Sequence, residues 1–180
     1  MKTQVLICHS YKASPAQNWY LWLADVLNEK GYDAKVLEMP SPSAPTEPEW
    51  VECIKTAHTS SPVILVGHSL GCRAILAYIN QYNVETEAVI LAACPMFWEG
   101  AIETRPLLKA YVDGMQPLDF EKIKKLVKRF ELFHDTSDHL LPLKNVERLK
   151  ELLGEKATVH VSDQYGHFDV KQIQEMATLF

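Results

Sequence analysis

Ser69 lies in the run Gly67-His68-Ser69-Leu70-Gly71, one hydroxyl flanked at two residues' distance by glycine on each side. A serine hydroxyl is a weak nucleophile until a base accepts its proton, and imidazole does this best near neutral pH. A carboxylate on the far ring nitrogen then fixes the tautomer and stabilises the imidazolium. The chain holds seven histidines and several carboxylates that could complete such a set. Which of them do so depends on where the fold puts them.

The G-x-S-x-G pattern arises by chance on the order of once in 20 chains of this length, so the flanking segments carry the inference. Pro62 to Val66 is a short aliphatic run long enough for one buried strand. From Cys72 to Asn80 the apolar residues Ile75, Leu76 and Ile79 recur at helical spacing. Strand, tight turn and helix in that order make the context of a nucleophile elbow, in which the serine is thrust out over the end of the sheet. The glycines leave room where the turn packs closest. The first N–H groups of the following helix face any oxyanion formed beside Ser69.

Other strands are expected at Thr3–Cys8, Asp33–Met39, Glu87–Ala93, Phe130–His134 and Ala157–Val161, with helical patterns between them. Ser14-Pro15-Ala16-Gln17 has the layout of a capping box and predicts a first helix with Trp19, Trp22, Leu23, Val26 and Leu27 on its inner face. Thr46 and Glu49 form a second capping box, and a last helix is expected over 169–180. The four-proline stretch Pro40–Pro48 reads as a loop, and the basic face after Asp119 as solvated surface. Strands alternating with helices imply an α/β chain, a six-stranded, mostly parallel sheet with helices on both faces, within one domain over 1–180. Ligands of such sheets bind beyond the carboxyl ends of the strands.

That rule selects the partners of Ser69. His167, in Gln164-Tyr165-Gly166-His167-Phe168, follows the last strand and falls on the same edge. His139 is its best rival, in the preceding loop; His58 and His160 fall within elements, and His134 near a strand end. The loop after the fifth strand offers Asp135 and Asp138, and Asp138, further into the loop, is favoured. The chain order is then Ser69, Asp138, His167, as in α/β-hydrolases. Two N–H donors are needed for the oxyanion. One is assigned to Leu70, and the second to Ser10 or Tyr11 in the loop after the first strand.

The stretch Cys94–Pro117 is longer than an ordinary connection and rich in aromatic and Met residues, so it is expected to form a small cap, with no large lid, a packed connector with one short helix being the alternative. His9, Met96, Phe97 and Trp98 are the candidate pocket residues. They imply a hydrophobic or aromatic group on a small ester substrate.

Several function classes are disfavoured. A formal charge of −5 and a pI of about 5.8 do not suit nucleic acid or an anionic membrane as partner. The run His9-Ser10-Tyr11-Lys12 has no glycine to cradle a nucleotide or flavin phosphate. The four cysteines lie far apart with no C-x-x-C pair and read as buried small hydrophobes. No metal or organic cofactor is required by this chemistry, and a cytoplasmic location is expected, since the first residues lack a signal-peptide core. A protein-binding module that keeps the triad is the alternative to an enzyme.

The chain resembles the small α/β-hydrolases of the YdeN and retinoblastoma-binding-protein-nine family, which lack the first two strands of the full hydrolase sheet. The matching pieces are His9, Trp19-Tyr20-Leu21-Trp22-Leu23, Met39-Pro40, Trp50, the elbow, Ser137-Asp138 with Leu141-Pro142, and Gly166-His167-Phe168. The resemblance implies a serine hydrolase, and its Asp-to-Pro spacing supports Asp138 over Asp135. Similar enzymes place Gly after the first-strand His, where this chain has Ser10.

Overall fold

The computed structural model describes residues 2–97 and 105–180. Their frame is a six-stranded, wholly parallel sheet: β1 (Gln4–Cys8), β2 (Asp33–Val36), β3 (Val63–His68), β4 (Ala88–Ala92), β5 (Phe130–Asp135) and β6 (Ala157–Ser162). Their order across the sheet is β2-β1-β3-β4-β5-β6. All strands therefore end on one rim. The pairings Cys8↔Gly67, His68↔Ala92 and Asp135↔Ser162 mark that rim at successive ladders.

Buried parallel strands divide their side chains between two faces, because successive residues point oppositely. Leu6, Cys8, Val63, Leu65, Val89 and Leu91 enter one core. It is covered by α2 (Glu47–Ala57), α3 (Leu70–Tyr82), α5 (Phe120–Leu126) and α6 (Lys144–Leu153), with the short α4 (Lys109–Asp113) beside them. Val5, Ile7, Ile64, Val66, Ala88 and Ile90 enter the other, under α1 (Tyr20–Glu29) and α7 (Gln174–Ala177). None of the described helices is long and apolar enough to cross a membrane.

Local chemistry explains where the elements depart from their sequence patterns. Thr46 caps α2 as its capping box predicts, accepting from the Glu49 N–H. The Ser14 box forms only half: Gln17 Oε1 accepts from the Ser14 N–H at 2.7 Å, but Asn18 at φ 51° interrupts the chain before a helix can grow. The helix starts at Tyr20 instead, and its inner face is Tyr20, Leu23, Ala24 and Leu27, with Trp22 only half-buried. β2 stops at Val36 rather than Met39. The last helix shrinks to Gln174–Ala177, because Ile173 is extended at its entrance.

Candidate active site

The elbow is built by close packing. Ser69 takes φ 51° and ψ −115°, a conformation that costs a non-glycine residue about 1–3 kcal/mol. Its N–H donates to Ala92 O at 2.8 Å and its carbonyl accepts from Cys72 N–H, so the neighbouring strand and the first turn of α3 hold it there. A Cβ at position 67 would sit 2.8 Å from the Cys72 backbone. One at position 71 would meet the carbonyls of Cys8 and His9, the latter at 2.8 Å. Glycine is required at both, and Gly71 sets the β1 loop directly against the start of α3.

Three loops of the rim converge on Ser69. Its Oγ lies 3.0 Å from His167 Nε2, and His167 Nδ1 lies 2.8 Å from Asp138 Oδ2. The carboxylate also accepts the N–H groups of Leu140 and Leu141 at 2.8 and 3.0 Å. Burial pushes the Asp138 carboxyl upward, but its bond to His167, the imidazole's charge and the two N–H groups outweigh that and hold it below the usual range. An ionised acceptor on Nδ1 fixes the proton there, which leaves the Nε2 lone pair facing the serine hydroxyl. His167 sits between Gly166 at φ 55° and Phe168 at φ 61°. The Phe168 ring is wholly buried in the core under α1, next to a half-buried Tyr165.

Asp135, the other candidate carboxylate, has a different task. Its oxygens accept from the Ser137 N–H and hydroxyl, the Ser162 hydroxyl and the Gln164 and Tyr165 N–H groups. Burial opposes its ionisation, and these donors together overcome it and hold the group well below the usual carboxylate range. Asp135 thus ties the end of β5 to the loop that carries His167. Of the rival histidines, His139 lines the cleft but makes no bond to Ser69 among the described residues. His160 pairs with Glu131 and stacks on Phe133, and His58 bonds Tyr78.

The second oxyanion donor narrows to one of the two expected, and the pocket differs from its expected lining. The Ser10 N–H donates to Tyr20 Oη at 3.2 Å and is taken out of use. Among the described residues the N–H groups of Leu70 and Tyr11 have no protein acceptor, and both residues line the cleft with Ser69. His9 does not reach the cleft. It is fully buried, donating from Nδ1 to Ser10 O at 2.9 Å and accepting the Met39 N–H at Nε2, with its ring edge-on to Trp50. Met96 turns instead toward a separate hollow beside Arg73 and Met115. Phe97 alone of the pair lines the cleft with Ser69. Trp98 lies outside the described residues.

The cleft encloses about 630 Å³. Tyr11, Leu70, Pro95, Phe97, Leu108 and Leu141 give it apolar walls, and Lys12, Arg105 and Lys144 add positive charge, with Lys144 Nζ 4.6 Å from the Phe97 ring centre. The buried Asn145 fixes the Phe97 wall. Its Oδ1 accepts the N–H groups of Met96 and Phe97 at 2.7 and 3.1 Å. Further along the same excursion, Gln116 donates its N–H to Glu47 Oε1 and its carbonyl accepts from Arg73, which pairs with Glu47 at 2.8 Å. Asn145, Glu47 and Arg73 carry no motif. Their role shows only once α2, α3 and α6 are side by side.

Comparison with known proteins agrees with this architecture. The serine hydrolase family model matches residues 5–175. The chain belongs to the serine hydrolase family. It is 28% identical to YdeN of Bacillus subtilis over 174 residues, covering 93% of this chain and 87% of that one. It is 26% identical to the serine hydrolase RBBP9 of Rattus norvegicus over 160 residues, covering 88% and 82%. The crystal structure of the B. subtilis ydeN gene product superposes with a TM-score of 0.86 at 24% identity, covering 99% of this chain and 96% of that one. Est1E from Butyrivibrio proteoclasticus superposes at 0.78 with 14% identity, covering 99% and 85%. The fold is that of α/β-hydrolases, in the small form.

Proposed function

We propose that the protein is a carboxylesterase-like enzyme that cleaves small hydrophobic or aromatic esters, with thioesters and activated amides as further substrates, through an acyl-enzyme. The observation that carries this reading is the unbroken row of contacts from Ser69 Oγ through His167 to Asp138, at 3.0 and 2.8 Å. His167 Nε2 takes the hydroxyl proton as Ser69 Oγ bonds to the substrate carbonyl carbon. Asp138, ionised, supports the imidazolium. The carbonyl oxygen, now an oxyanion, is met by the N–H groups of Leu70 and Tyr11, each such donor being typically worth about 2.7–4 kcal/mol.

The tetrahedral adduct collapses as the imidazolium returns its proton to the leaving alcohol. Water then enters, loses a proton to His167 and cleaves the Ser69 ester, and the same proton is handed back to Ser69 Oγ. The apolar walls around Phe97 and Leu108 favour an aromatic or aliphatic acyl or alcohol group, with Pro95, Phe97, Arg105 and Leu108 covering the cleft as a small cap. The test is a series of p-nitrophenyl esters of rising acyl length on wild type and Ser69→Ala, with fluorophosphonate labelling of the serine. Labelling at Ser69 and a loss of turnover in the variant are expected. Equal rates in the two proteins would refute the mechanism.

A further inference from the structure

Beneath the site lies a second row of hydrogen bonds that the acyl-transfer chemistry does not use. His68, next to the nucleophile, is fully buried, with Tyr20 Oη 2.6 Å from its Nδ1 and the His167 carbonyl oxygen 2.7 Å from its Nε2. A carbonyl can only accept, so Nε2 carries the ring proton and donates it. Nδ1 is then a lone pair, and the Tyr20 hydroxyl must donate to it. That leaves the lone pairs of the Tyr20 oxygen for the donors behind it, the Ser10 N–H at 3.2 Å and the Asn18 side-chain amide at 3.3 Å, with Ser10 Oγ also 3.2 Å away.

The donors thus all point one way, from the β1 loop through Tyr20 and His68 into the backbone of His167. Burial of the His68 ring, together with the neighbouring imidazole, pushes it down to about 3, so it stays neutral and this polarity holds at neutral pH. Bonds aligned head to tail in a dry interior strengthen one another, and breaking one leaves the rest unsatisfied. The two ends of the row are the two parts of the site that need placing. One is the loop bearing the Tyr11 N–H. The other is the residue bearing the general base, whose flanking residues both have positive φ.

We infer that Tyr20 and His68 are positioning residues, a buried relay that holds the oxyanion loop and the His167 backbone in register across the elbow. The inference rests on the acyl-transfer reading above. It also gives Ser10 a use that glycine lacks, since its hydroxyl oxygen lies 3.2 Å from the same phenol.

The test compares Tyr20→Phe, His68→Leu and His68→Gln with wild type on p-nitrophenyl acetate. kcat is expressed per site titrated by fluorophosphonate, so that misfolded molecules do not count. Small misplacements of reacting groups cost up to about 100-fold. A fall in kcat of about 10- to 100-fold with KM within twofold is expected for Tyr20→Phe and His68→Leu. His68→Gln, whose amide can still donate to the His167 carbonyl, should recover much of the loss. Adding Ser10→Ala to Tyr20→Phe should cost nothing further, because the phenol that its hydroxyl contacts is already gone. If kcat per titrated site stays within twofold in Tyr20→Phe while the melting temperature falls, the pair is only structural and the inference is overturned. If Ser69→Ala itself turns over like wild type, the acyl-transfer reading falls and the relay falls with it.

Discussion

The two flanks of Ser69 are made of different material. On one side stand an imidazole and a carboxylate, side chains on the loops after β6 and β5. On the other stand two peptide N–H groups, from the start of α3 and the loop after β1. The first flank can be emptied by changing one residue, and its groups take up and release protons. The second contains nothing that titrates, and short of proline no substitution deletes it. It can be disturbed only through what fixes its backbone, chiefly the contact of Gly71 with the carbonyls of Cys8 and His9 and the bond from Ser10 to Tyr20.

The largest effect should come from the side-chain flank. Asp138→Asn keeps the shape but removes the charge that holds Nδ1–H in place, and kcat on p-nitrophenyl acetate should drop by about 10⁴-fold. Asp135→Asn, three residues away, should behave oppositely. It should cost about 1–3 kcal/mol in denaturant unfolding through lost hydrogen bonds, with kcat within a few-fold of wild type. If the two phenotypes are exchanged, the roles assigned to these carboxylates are wrong. Because the Asp135 carboxyl titrates lower in the folded chain, its contribution is present above pH ~4 and fades as pH falls below that value. The stability gap between wild type and Asp135→Asn should narrow accordingly in unfolding curves at successively lower pH.

The backbone flank is tested by Gly71→Ala. The added methyl must displace main chain rather than a flexible side chain, so a loss of about 1–3 kcal/mol is expected together with reduced kcat. Wild-type stability and kcat in this variant would show that the β1 loop is not set by this contact.

A smaller signal, spread over pH, comes from the buried histidines other than His167. Burial lowers His68 to about 3 and also lowers His9 and His134. Below the unfolded value of about 6.5 the unfolded chain takes up protons that the folded one refuses. Stability should therefore fall as pH drops from about 6.5 toward 3 through His68, by up to about 1.4 kcal/mol per pH unit, with His9 and His134 adding in the same direction. His68→Gln should flatten that slope in urea midpoints measured from pH 7 to 4, and an unchanged slope would contradict a buried neutral His68. Smallest of all, Asn145→Ala frees the N–H groups of Met96 and Phe97. KM for aromatic esters should rise a few-fold with kcat nearly unchanged, and a matching fall in kcat would place Asn145 nearer the chemistry.

The same contrast decides what was legible in the sequence. Strands rich in Val, Ile and Leu announce a buried parallel sheet, and the rim rule then brings Ser69, Asp138 and His167 to one edge from loop positions alone. Side chains that act are letters, and letters can be read. The Ser10 amide could not be read, because whether an N–H is free depends on a phenol ten residues along the chain. Nor could Tyr20 be seen as more than a member of a W-x-x-W-L run, since the sequence pattern rotates the helix to put Trp22 inward and the structure puts Tyr20 there. His9 and Met96 failed as wall residues for the same reason: a segment without regular period does not say which side its residues face.

Phe168 carries one last consequence. Its ring is a peg seated in the layer under α1, immediately after the residue that delivers the imidazole. With the aim of His167 set by an anchor next door, exposed neighbours such as Asp163 and Lys171 are free to drift in evolution, so long as the peg keeps its socket.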